Sequence, residues 1–261
     1  MAHDHMIEML DLDAEVLSDY HRNLIAVVGA EAGDHPHIVD LGAGSGTGSL
    51  ALARELPGAR VTAVDVSPEM LAHLRGRALE EGLDDRIRTV EADLDQPWPD
   101  FGPVDVIWAA SSMHHMADPA RALTAAREAL RPGGLLVIAE LDSFPRFLTG
   151  TPDEPLEALV HTEADRMRHE AGLHMHENWF DRITEAGFSG VSEKHFEIEL
   201  PGPLPRAAAR YAEVSLGRMR HRLEGRVADA QLAELDKLVT GLGTRDDLTI
   251  RTERTVWQGR R

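Results

Sequence analysis

Between His37 and Leu141 short apolar runs alternate with stretches of helical period. Ile38, Val39 and Leu41 read as a strand, and Ser49 to Leu56 as the helix after it. Val61 to Asp65 is the next strand, and Ser67-Pro68 opens a helix with serine at the cap and proline at its first position. A third strand, Ile87 to Ala92, ends in Asp93, and a fourth covers Val104 to Trp108. Asp118-Pro119 caps another helix, which stops at Leu130-Arg131-Pro132-Gly133-Gly134 before a fifth strand, Leu135 to Ala139. This alternation predicts an α/β fold, a parallel sheet with helices on both faces. Such sheets take ligands outside the carboxyl ends of their strands.

The flanks differ. Leu17, Tyr20, Leu24, Val27 and Val28 predict one leading helix over residues 11–31. After the fifth strand comes an irregular link, a helix from about Leu156 to Glu170, a histidine-rich bend (Leu173 to His176) and a helix from Trp179 to Ala186. Phe196, Ile198 and Leu200 alternate as a strand, as do Leu248, Ile250, Thr252, Arg254 and Val256. About 45 residues separate these two strands, against the 2–5 of a hairpin loop. The insert carries two helical patterns, Pro205 to Leu223 and Asp229 to Val239. The expected organisation is a single domain over 1–261. It has a helical segment at 1–36, a core at 37–141, and a helical cap from 142–176 and 201–247. Leu232, Leu235 and Val239 share one helical face, and Tyr211, Ser215 and Met219 another. Those faces need cover from the fold, from residues 142–176, or from a second chain in a homodimer.

Composition narrows the partners. The chain has 261 residues and a formal net charge of −18, which argues against nucleic acid and anionic membranes. It contains no cysteine, so disulfides, thiolate metal sites and thiol nucleophiles are excluded. No signal pattern and no run of about 20 apolar residues is present, so a cytoplasmic location is expected. Lysine occurs only at Lys194 and Lys237; the arginine bias suggests a GC-rich coding sequence.

The most informative segment is Asp40 to Gly48, with glycines at 42, 44, 46 and 48 in a strand-to-helix turn. Glycine there permits unusual dihedrals and close approach of a ligand to the main chain. The spacing does not fit the G-x-G-x-x-G of a dinucleotide site. Asp40 would sit badly beside a phosphate, so the loop suits a nucleoside bearing a positive group. Asp65 lies about 20 residues on, where such folds grip ribose hydroxyls.

Together these stretches resemble the class I S-adenosylmethionine-dependent methyltransferases over roughly Asp11 to Leu141. The resemblance rests on Asp40 to Gly46, Asp65, Ala92-Asp93-Leu94, Asp105-Val106-Ile107-Trp108-Ala109 and Leu130 to Gly134. Met113-His114-His115-Met116 looks like the small-molecule branch, which includes quinone-ring and natural-product enzymes. The resemblance implies a Rossmann-like seven-stranded sheet with an antiparallel last strand. It also implies S-adenosyl-L-methionine as cofactor and S-adenosyl-L-homocysteine as product. Asp40 would then meet the methionine ammonium, directly or through water, or else brace the loop. Gly42, Ala43, Gly44 and Gly46 would line the cofactor, Asp65 would take both ribose hydroxyls, and Asp93 would face the adenine amino group with Leu94 beside the ring. Val66, Met70, Ala92 and Tyr20 are further expected contacts, and Ala109 and Ala110 would offer carbonyls from beyond the fourth strand.

Methyl transfer from a sulfonium is a direct displacement that positioning can accelerate strongly. A base is needed only if the acceptor must lose a proton. His114 and His115 are the candidates, with capping or packing as the alternative, and Glu140 either orients substrate or pairs with an arginine. Glu157, His161, Asp165 and His169 share a helix face and are expected to be a solvated stripe, with no metal site. The leading expectation is methyl transfer to a small, partly apolar molecule, at oxygen first and then carbon or nitrogen. The alternatives are non-methylating chemistry such as cyclisation or decarboxylation, and a non-catalytic cofactor-binding regulator.

Overall fold

A computed structural model of the chain describes residues 2–261. The elements run α1 (Ala2–Val16), α2 (Ser18–Glu31), β1 (His37–Leu41), α3 (Thr47–Glu55), β2 (Arg60–Asp65), α4 (Pro68–Glu80), β3 (Ile87–Glu91), β4 (Val104–Ala110), α5 (Pro119–Ala129) and β5 (Leu130–Leu141). There follow α6 (Glu154–Glu170), α7 (Trp179–Glu185), β6 (Ser189–Leu200), α8 (Arg206–Arg222), α9 (Asp229–Gly241) and β7 (Ile250–Arg260). The seven strands form one sheet in the order β3-β2-β1-β4-β5-β7-β6. β1 to β5 pair in parallel, with Ile38 beside Val61 on one side and Val106 on the other.

β7 runs antiparallel to β5. Gly133 N–H donates to the Arg261 carbonyl at 3.0 Å, and Asp142 N–H to the Glu253 carbonyl at 3.0 Å, so one strand descends as the other climbs. β6 and β7 are likewise antiparallel, as the pairings Trp257 to Glu193 and His195 to Thr255 show. Strand order reverses between β1 and β4, which places a crevice at the carboxyl end of β1.

The chain divides into two compact units. The sheet unit comprises 19–140, 176–195 and 255–261. Its core joins Val39, Leu41, Ile107, Leu123, Leu136, Ile138, Trp179 and Trp257, all nearly inaccessible. β1 is buried on both faces (Ile38, Val39 and Leu41), which is why it reads as a continuous apolar run. The helical unit comprises 1–18, 141–175 and 196–254. Its central element is α8, which packs on α1, α6 and α9 through Ala208, Tyr211, Ala212 and Leu216. The insert's apolar faces therefore find cover inside this unit. On α9 the buried positions are Leu232, Leu235 and Leu238, with Val239 half-buried at the edge.

Three local expectations change. The leading helix is two helices, broken at Leu17. Leu17, Tyr20, Leu24 and Val28 are all buried, so apolar spacing continues past the break and conceals it. The segment Leu130 to Gly134, expected to end the helix ahead of a strand at Leu135, is itself the start of β5. Leu130 pairs with Val104 and Leu135 with Val106, and the extra residues bulge with Gly133 at φ 78°. Finally, Glu157 and His161 are not solvated: both are buried, against α6's neighbours in the helical unit.

Candidate functional site

The glycine loop joins β1 to α3 and is pinned to the neighbouring strand. Gly42 and Ala43 N–H both donate to the Val64 carbonyl, at 2.8 and 2.9 Å. Gly42 adopts φ 69°, and a Cβ there would come 2.5 Å from the Cβ of Ser112. Gly46 adopts φ 87° and caps α3, and a Cβ there would overlap Leu74 of α4. Both glycines thus let protein elements close on the loop, and leave its outer edge as main chain.

Asp65, the last residue of β2, fastens that loop. One carboxylate oxygen accepts Gly44 N–H at 2.8 Å, and the other accepts Ser67 N–H at 2.8 Å. Each oxygen has a second lone pair, so the group retains acceptors for a pair of vicinal hydroxyls. Beside it, Val66 is 65% exposed, an apolar side chain at the rim of the sheet. Met70 and Leu94 are buried, Ala92 is half-buried and Asp93 is exposed. Asp93 accepts Asp95 N–H at 2.9 Å. Ala109 and Ala110 belong to β4 itself, paired with Ile138 and Ala139, because β4 runs two residues past its expected end. Tyr20 is buried in α2 with its ring edge on His21.

Asp40 lies beneath the loop and is only 2% exposed. Ser49 donates its hydroxyl to it at 2.6 Å. Burial raises its pKa to about 7, helped by the nearby Asp65 charge and opposed by the Ser49 hydrogen bonds.

Beyond β4 the chain turns through Ser111, at φ 54°, into a 3-10 turn at Met113–His115. Glu140, buried at the end of β5, holds this turn. It accepts Met113 N–H at 2.8 Å and His114 N–H at 3.3 Å, and its other oxygen meets His114 Nδ1 at 2.6 Å. It pairs with a histidine rather than an arginine. This bond orients the His114 ring and favours Nδ1 as the protonated nitrogen. His115 stacks at 4.1 Å between centroids, tilted by 41°, and is exposed. Partial loss of solvent around the ring lowers its pKa and the adjacent His114 lowers it further, against the opposing charges of Glu140 and Asp65. The histidines, Asp65 and the glycine loop all lie at carboxyl ends of strands in the sheet unit.

The helical unit has its own open cleft, of about 1150 Å³, lined by Pro155, Leu156, Leu159, Lys237, Leu238 and Arg245 among others. It contains none of the expected cofactor residues. Among the described residues no cluster of three metal-ligating side chains occurs, and no helix is long and apolar enough to cross a membrane.

Strand order, an antiparallel seventh strand and an acid-fastened glycine loop define the class I methyltransferase architecture. Residues 38–134 match the family model described as a methyltransferase domain. That match runs from β1 to the start of β5, and the strand order is that of the class I S-adenosylmethionine-dependent methyltransferase fold. The chain is similar to the release factor glutamine methyltransferase of Chlorobaculum tepidum, at 41% identity over 36% of this chain and 33% of that protein. It is also similar to the ubiquinone biosynthesis O-methyltransferase of Xylella fastidiosa, at 38% identity over 40% of this chain and 42% of that one. The chain spans a third to under half of the length of these relatives. Among solved structures, the [4+2]-cyclase SpnF shares the fold, with a TM-score of 0.53 and 18% identity over 92% of this chain and 80% of that one.

Proposed function

We propose that the protein binds S-adenosyl-L-methionine at the carboxyl ends of β1, β2 and β4 and transfers its methyl group to a small-molecule acceptor. The observation that carries this reading is Asp65: its two oxygens fasten the glycine loop and still offer lone pairs beside the exposed Val66. The bound sulfonium supplies an activated methyl group. The chain's own residues then grip the nucleoside and orient the acceptor. His115 is the base for an acceptor that must lose a proton, a role supported by its exposure and lowered pKa. His114, fixed by Glu140, is a positioning residue. Oxygen is the first acceptor atom to test. The net charge of −18 favours a metabolite in the cytoplasm over nucleic acid or an anionic membrane.

The fold alone hosts cyclisation as well as methyl transfer, since a [4+2]-cyclase shares it. Mass spectrometry separates the two. Conversion of cofactor to S-adenosyl-L-homocysteine with a product heavier by one methyl group supports transfer; product formed with the cofactor intact refutes it. Calorimetry with S-adenosyl-L-homocysteine tests the site. Asp65→Ala should bind at least about tenfold more weakly, since hydrogen bonds to a charged acceptor are worth about 1.5–3 kcal/mol each. Equal binding would overturn the assignment.

A further inference from the structure

The fourth glycine of the loop is not explained by its backbone. Gly42, Gly44 and Gly46 adopt positive φ, whereas Gly48, in the first turn of α3, does not. Glycine at a helical position is less stable than alanine, so close approach has to account for it. A Cβ at Gly48 would come 2.9 Å from Nε1 of Trp108 and 3.3 Å from Oδ2 of Asp40. The indole nitrogen and the carboxylate oxygen therefore lie within about 6 Å of each other, against the same Cα. Asp40 and Trp108 are register partners on β1 and β4, so their side chains leave the same face of the sheet.

Both groups are buried. Trp108 Nε1 has no hydrogen-bond partner, and a buried donor left without one is costly. Asp40 Oδ2 accepts the Ser49 hydroxyl at 2.6 Å. The nearby charge that acts on Asp40 is that of Asp65, of its own sign, and burial together with that charge brings its pKa to about 7. The other titratable groups on the surrounding elements are engaged elsewhere or distant along them. His37 begins β1 and bonds to Thr62 and Pro103. Arg54 and Glu55 stand in the last turn of α3. Asp105, at the far end of β4, pairs with Arg131. In the turn after β4, His114 is held by Glu140, and His115 stacks on His114. A carboxylate accepts more hydrogen bonds than the neutral acid. On losing its proton Asp40 gains an acceptor, and the unpartnered donor close to it is Trp108.

We propose that Trp108 is a positioning residue for the cofactor's ammonium, acting through Asp40: its indole N–H stabilises the ionised carboxylate that a cation at the glycine loop requires. When the cation binds, the Asp40 O–H bond breaks and the proton passes to solvent. The carboxylate stays to meet the ammonium, directly or through water, with Ser49 and Trp108 as its donors. Gly48, by carrying no side chain, lets the indole and the carboxylate approach. The proposal rests on the methyl-transfer reading, which supplies the cation.

The test uses the full chain with nitrogen-15-labelled tryptophan and two probes: S-adenosyl-L-homocysteine, and 5′-methylthioadenosine, which keeps the nucleoside but has no ammonium. The chain has four tryptophans. Trp108→Phe, which keeps an aromatic ring, identifies the Trp108 indole signal by its loss. Phenylalanine at each of the other three identifies it by elimination should that variant fail to fold. At about pH 6, S-adenosyl-L-homocysteine should move the Trp108 signal and 5′-methylthioadenosine should not. Calorimetry in two buffers of different ionisation enthalpy should show proton release on S-adenosyl-L-homocysteine binding by the wild type, and none by Asp40→Asn. Trp108→Phe should bind S-adenosyl-L-homocysteine about tenfold more weakly at about pH 6, the equivalent of one pKa unit. At about pH 8.5, where the free carboxylate is already ionised, it should bind within about twofold of the wild type. A merely structural role would weaken binding equally at both. An unmoved Trp108 signal, equal movement with 5′-methylthioadenosine, no proton release, or a change in affinity that ignores pH would overturn the proposal. Any of these with wild-type binding of S-adenosyl-L-homocysteine intact rejects the role of Trp108 alone, whereas failure of the wild type to bind it rejects the methyltransferase reading as well.

Discussion

At the scale of single residues, two buried groups set opposing pH dependences. Burial, with the charges of Arg146 and Arg168, lowers His161 to about 4 from an ordinary 6.5. The unfolded chain therefore binds that proton more readily between these values. The stability His161 contributes is fully present above pH 6.5 and is lost as the pH falls through 4, about 3 kcal/mol in all. Asp40 acts in the other sense. Its folded pKa is raised to about 7 from 3.8, so its contribution is present below 3.8 and lost as the pH rises through 7. Urea titrations across pH 4–8 check both: His161→Gln should flatten the acid side, and Asp40→Asn should raise apo-protein stability at pH 7 and above. A His161→Gln variant with an unaltered acid limb would show that the group is not buried as described. The site makes a separate prediction. For a protonated acceptor, His115→Gln should remove the acidic limb of the pH–rate profile and cost roughly 10²–10⁴ in rate, with cofactor affinity unchanged. An unchanged profile would reduce His115 to packing.

At the scale of elements, the turn after β1 is set by close approach rather than by ligand contact alone. Gly46 combines a left-handed backbone with the Leu74 side chain where its Cβ would be. Gly82, after α4, has φ +66° but open space around it. Gly82→Ala should therefore cost only the conformational term, about 1–2 kcal/mol. Gly46→Ala should cost clearly more and lower the melting temperature further; equal losses in thermal melts would show that α4 yields freely. Ser67 and Asp118 accept Met70 N–H at 3.3 Å and Arg121 N–H at 3.0 Å, as helix caps do. Replacing either by alanine should cost about 1 kcal/mol. These caps and the five parallel strands were legible in sequence because they depend on neighbouring residues. The Leu17 break and the bulged start of β5 were not, since apolar spacing passes through the first and Gly-Gly reads as a turn in the second.

At the scale of the whole molecule, the insert is a structural member. Tyr211 on α8 is buried, donates to Asp13 at 2.5 Å and meets the Phe147 ring edge-on. Arg254, also buried, pairs with the same Asp13 at 2.9 Å. Replacing residues 205–243 by a glycine–serine link removes α8 and leaves Asp13, Arg254 and the faces of α1 and α6 uncovered. Hydrogen exchange should then show loss of protection throughout α1 and α6, while calorimetry still detects S-adenosyl-L-homocysteine. Retained protection in α6 would make the insert an accessory layer instead.

The sequence alone determined the class of fold and the place of the glycine loop at the end of its first strand. Strand and helix periods, caps and glycine spacing are short-range properties, and Asp40, Asp65 and the paired histidines fall at strand ends that such patterns locate. Tertiary structure decided which polar groups are buried and what they meet. Glu140 lies 26 residues from the histidine it holds, and Asp65 lies 21 from the glycine it fastens. Glu157 and His161 looked like a wetted helix face, yet residues 144–148 fold over them and exclude water. The physical reason is that a helical period fixes which residues share a face, but not whether another segment covers it. Burial, and with it pKa and the cost of an unpartnered nitrogen, is a property of that cover.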